Sequence, residues 1–161
     1  PERKPEDAPG HWRRWLDQLN EPAELRPYPT VADVARRLMK NNPRLSADKA
    51  AWLAPHWATP TPDGGWALQA DPAHKRIHGV LYRVDEVLVA WRQITAPVLW
   101  VQGDLTDTAQ WWGNRYTLAQ FESRLTVVPQ MQRHLLSPCG HMLHHEQPQA
   151  LAQAMEAFLR A

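Results

Sequence analysis

A single cysteine, Cys139, occurs in 161 residues, so no disulfide framework can form within the chain. A cytoplasmic location is the expectation that follows. Serine is scarce too: only Ser46, Ser123 and Ser137 are present. Charge of one sign is missing, because the formal net charge is +1, and no strong field exists to gather nucleic acid or an anionic membrane. No apolar run is long enough to cross a bilayer, and no signal-peptide pattern opens the chain. No internal repeat is visible. Hydrophobic residues make up 43% and charged residues 22%, which is the range of globular chains rather than disordered ones. A chain of this length buries about 68–70% of its unfolded surface. What remains is a globular domain, with no nucleic-acid or membrane partner expected.

Tryptophan and proline are abundant, at nine and fifteen. The tryptophans are scattered, which suits large packing residues in a helical layer better than an aromatic wall for a ligand. Residues 1–10, "PERKPEDAPG", are charged and proline-rich and read as a loose end. Trp12, Trp15, Leu16 and Leu19 then fall on one helical face. Thr30 with Asp33 makes a capping box for a helix carrying Val31, Val34, Ala35 and Leu38, which "NNP" ends. Ser46 can cap a helix with Ala50, Leu53 and Ala54 inward. "PHWATPTPDGGW" reads as a turn-rich loop, followed by a short strand around residues 66–69.

The second half changes character. Val84, Val87, Leu88 and Trp91 give a helix face. In "ITAPVLWVQGD" the apolar run Val98–Val101 does not alternate, the mark of a strand buried on both faces in a parallel sheet. Leu118, Phe121 and Leu125 predict a helix, residues 133–136 a weaker strand, and Pro148 opens a last helix with Leu151, Met155, Phe158 and Leu159 on one side. This order is a βαβ unit with a further helix. Two parallel strands are too few for a stable sheet, so further strands are expected from elsewhere.

The chemistry concentrates in "SPCGHMLHHEQPQ", where His141, His144, His145 and Glu146 lie within six residues. His141 and His145 have the i, i+4 spacing of a zinc-protease helix, but Glu146 lies outside the pair and Gly140 and Pro148 crowd the segment. No metal and no organic cofactor are expected. Cys139 and His141 are two residues apart and point away from each other in an extended segment, so Cys139 reads as a buried structural thiol. His144, His145 and Glu146 read as filling the turn into the last helix, with Glu146 favouring its positive end. His74 and His78 read as structural residues.

"APVLWVQGDLTD" followed by "PCGHMLHHEQPQALAQAMEAFL" resembles the last two strands and final helix of the α/β-hydrolase family. The stretch from Thr30 to Ile94 is similar to the cap of such enzymes. The resemblance implies an α/β chain holding a partial α/β-hydrolase fold. A helical cap region, 11–82, would precede a βαβα C-terminal segment of a parallel sheet, 83–161, with the N-terminal strands absent from this chain. It implies His141 as the general base, oriented by Asp107 or, second, by Asp104. The usual acid position, three residues after the strand-end glycine, holds Thr106. Trp52, Trp57 and Trp66 would shape an apolar substrate pocket. No G-x-S-x-G elbow occurs, so the nucleophile, serine or aspartate, is expected from the N-terminal half of the fold, in the same protein or a companion chain. The implied activity is hydrolysis of an ester or small acyl substrate, with this chain alone inactive. The alternative is a hydrolase-like module that binds an apolar ligand or a protein without catalysis.

Overall fold

The computed structural model describes residues 3–161, Asn114 by its backbone alone. Two compact units divide the chain, Lys4–Leu81 and Tyr82–Ala161 with Arg3.

The first unit does not begin as a loose end. A 3-10 turn at Pro5–Asp7 leads into helix α1, Ala8–Asn20, where Pro9 sits in the first turn and forfeits no helical bond. The apolar face expected on α1 is largely exposed: Trp12, Leu16 and Leu19 are 51%, 52% and 45% accessible. A different stripe is engaged. His11 Nε2–H donates to the His78 carbonyl (2.6 Å), and Gln18 Oε1 accepts from the Ile77 amide (2.7 Å). Between them Trp15 lies flat on Gly79, where a Cβ would meet the indole at 2.7–2.9 Å. Backbone partners on the 77–79 segment thus outweigh apolar periodicity.

Helices α2 (Val31–Asn41) and α3 (Ala47–Trp57) form the core of this unit. Thr30 accepts from the Asp33 amide and Asp33 returns a bond to the Thr30 amide, so the capping box is complete. Val34 and Leu38 meet Ala50 and Ala54, both fully buried, whose small side chains let the helices approach. Strand β1 (Ala58–Pro60) pairs antiparallel with β2 (Trp66–Leu68), and Gly64, at φ +86°, serves the turn between them. Tyr28 bonds Trp66 in both directions at 2.7 Å, tying the 24–28 segment to this hairpin.

The second unit starts with α4 (Val84–Arg92) and continues with β3 (Val98–Gly103). Helices α5 (Ala109–Trp112) and α6 (Leu118–Leu125) carry the chain across to β4 (Met131–Leu136). The strands are parallel, in register from Val98↔Met131 to Gly103↔Leu136. Val98–Gln102 are only half-buried, and Gln132–Leu135 of β4 are exposed, short of the two-sided burial the apolar run predicts. Two short elements close the chain, α7 (Leu143–Glu146) and α8 (Pro148–Leu159). Among the described residues no helix is long and apolar enough to cross a membrane.

Candidate active site

The ends of β3 and β4 are stitched together just before His141. The Asp104 amide donates to the Leu136 carbonyl at 3.0 Å, and the Leu105 amide to the Cys139 carbonyl at 2.9 Å. Gly103 makes this possible, because a Cβ there would collide with the carbonyl oxygens of Gly140 and Cys139. Asp104 clamps the same turn. It accepts from the Ser137 hydroxyl (2.5 Å) and from the Cys139 amide (2.8 Å). The Ser137 bond, then the Cys139 amide, holds its carboxyl below the usual aspartate range. On the far side, Glu146 accepts from the Gly140 amide at 2.8 Å. Cys139 and Gly140 are buried, and His141, the next residue, is exposed.

The His141 imidazole packs on Trp111 of α5, with ring centroids 4.4 Å apart at 56°. Both rings border a cavity of about 170 Å³ walled by Trp100, Trp112, Phe121 and Leu143. No hydrogen bond joins His141 to either expected acid. Asp104 has both oxygens engaged in the turn, and Asp107 gives one oxygen to the Ala109 amide (2.9 Å) at the start of α5.

His145 does not share a helix with His141, since α7 begins at Leu143. His145 is buried, and burial, aided by His144, pulls its pKa below the ordinary value despite the opposing Glu146. Among the described residues no cluster of three or more histidine, cysteine, aspartate or glutamate side chains could hold a metal ion.

The three tryptophans expected to shape a pocket are not gathered in one. Trp66 packs against the α2–α3 core. Trp52 is 67% exposed and rests on His56, ring centroids 4.8 Å apart. Trp57 lines a cavity together with Leu68 and residues of α2. Sequence reasoning missed Trp111 beside His141 and the Glu146 bond to Gly140. The Trp111–Trp112 doublet after the acidic loop was the only signal for the first.

Several solved structures share this architecture. A hypothetical protein from Pseudomonas aeruginosa PAO1 superposes with a TM-score of 0.78 at 22% identity, over 100% of this chain and 55% of its own. The thioesterase domain from the curacin biosynthetic pathway gives 0.72 at 24% identity, over 96% and 51%. An alpha/beta hydrolase from Novosphingobium aromaticivorans DSM 12444 gives 0.59 at 18%, over 91% and 51%. The fold is part of an α/β-hydrolase. At these identities the likeness establishes the fold alone, and the chain spans about half the length of the solved structures it matches. No protein-family model matches the sequence, and no curated protein does. In this partial α/β-hydrolase fold, β3 and β4 are parallel neighbours, and His141 stands on the loop past their carboxyl ends.

Proposed function

We propose that the chain supplies the histidine-bearing part of an α/β-hydrolase that cleaves an ester or related small acyl compound. The observation that carries this reading is the placement of His141. Its loop is fixed on both sides by Asp104 and Glu146, while the imidazole stays exposed beside an apolar cavity. A ring so held can take a proton from a nucleophile and return it to a leaving group. The three serines of the chain are otherwise engaged: Ser46 caps α3, Ser123 donates to the Gln120 carbonyl and Ser137 to Asp104. In this reading the nucleophile and oxyanion donors come from residues outside these 161, in the same protein or a companion chain. Asp107 is the better candidate acid in this reading, because both oxygens of Asp104 already accept bonds that hold the turn, whereas Asp107 accepts with one.

The test uses the assembled hydrolase, this chain with the segment or partner bearing the nucleophile, assayed on p-nitrophenyl butyrate. His141→Ala should lower kcat by about 10²–10⁴-fold, the usual worth of a general acid–base group. Full activity in that variant sinks the proposal. The 161-residue chain alone should take no fluorophosphonate label. One observation favours the second reading, a binding module without catalysis: His141 has no hydrogen bond to a carboxylate. An assembled protein that binds esters without turnover would support it.

A further inference from the structure

The unit Lys4–Leu81 holds a cavity of about 400 Å³, within the range of small-molecule sites at roughly 300–1,000 Å³. Its composition is two-sided. The floor is apolar, from Leu38 of α2, Leu68 of β2 and Trp57 at the end of α3. The rim carries Arg26, Arg37 and Lys75 against one acid, Glu24. The pattern on α2 follows from helical geometry. Val34, Arg37, Leu38 and Asn41 are spaced i, i+3, i+4, i+7, so one strip runs from the buried core to a guanidinium. The opposite wall, residues 24–28, is anchored by the paired Tyr28–Trp66 bonds, and the Lys75 ammonium is held by the Glu24 carbonyl at 3.0 Å. Among the described residues Arg26 and Arg37 have no acidic partner and no hydrogen bond. Arg36, Arg83 and Arg160, by contrast, each pair with a carboxylate three or four residues away, whereas Arg13, Arg14 and Arg92 are unpaired among the described residues but line neither this cavity nor the one beside His141.

We propose that this cavity binds a small amphiphilic anion, its carboxylate or phosphate-ester head gripped by Arg26 and Arg37 and its apolar tail lying on Trp57 and Leu68. Guanidinium forks match both oxyanions, and an apolar floor beside them selects a tail over a free inorganic ion. The inference is independent of the hydrolase reading, because the cavity lies wholly within one unit and excludes His141.

Calorimetric titration of the full chain with octanoate, octyl phosphate and octan-1-ol tests it. Either anion should bind saturably, one per chain, at least about tenfold tighter than the alcohol, which is about 1.4 kcal/mol. Added salt should narrow that gap. The double variant Arg26→Gln/Arg37→Gln should abolish the preference while its circular dichroism and melting curve stay unchanged, since both residues are exposed. The tighter anion identifies the head group. His141→Ala should bind as the unaltered chain does. Equal affinity for the alcohol, full anion binding by the double variant, dependence on His141, or no binding of any probe overturns the proposal.

Discussion

Gly103 decides whether the histidine loop can pass over the sheet. Its missing side chain is filled by two backbone carbonyls, those of Cys139 and Gly140, and backbone yields less readily than a side chain. Overpacking typically costs about 1–3 kcal/mol, and Gly103→Ala should fall at the upper end of that range. Its urea midpoint should drop accordingly, while the same change at Gly10, whose Cβ position is open, should leave the midpoint unaltered or raised. His145 acts through protonation. Burial depresses its pKa in the fold, so the native state favours the neutral ring. The stabilisation is complete above its ordinary value of 6.5 and is lost as pH falls through the lower folded value. Melting temperature should therefore decline below about pH 6.5, and His145→Gln should flatten that decline. An unchanged slope in the variant would show that another group is responsible.

At the scale of elements, capping chemistry travels directly from sequence to structure. Thr30→Ala removes the side chain that accepts from the Asp33 amide, and caps of this kind are worth about 1 kcal/mol. A melt of that variant should show such a loss, and an unaffected melt would mean that α2 is held by packing alone. Thr30, Ser46 and Pro148 were legible because a cap acts within one turn of its own residue. The parallel pair was legible from the unbroken apolar run at Val98 and from Gly103. Strand β1 was not, since Thr59 and Pro60 read as turn residues and become a strand only by pairing with β2. The stripe of α1 was misread for a related reason. Periodicity selects Trp12, Trp15, Leu16 and Leu19, of which Trp15 alone is engaged, on Gly79, while His11 and Gln18 find partners in backbone almost sixty residues or more away, which no local pattern encodes. Of the candidate site, the position of His141 on the loop after β4 was legible. Its clamp, Asp104 with Ser137 and Cys139, spans more than thirty residues of sequence.

For the whole molecule, the informative feature is the edge of β3 that β4 does not cover. The Val98 amide bonds Gln130 and the Asp104 amide bonds Leu136, which fixes the alternation between them. Trp100 and Gln102 therefore also turn their amides toward β4, while Leu99 and Val101 turn theirs to the other side. Among the described residues the sheet has only two strands, so those amides have no ladder partner. An apolar strand with an open edge is a template for another strand. In the solved structures compared above, this chain matches only about half of the polypeptide, so additional chain is present in each of them. Hydrogen exchange on the 161-residue chain should find Leu99 and Val101 exchanging well ahead of Val98 and Trp100. Assembly with the proposed nucleophile-bearing part should slow Leu99 and Val101 selectively. Protection of these two amides in the isolated chain, independent of its concentration, would show the edge already covered and remove the structural ground for an added strand.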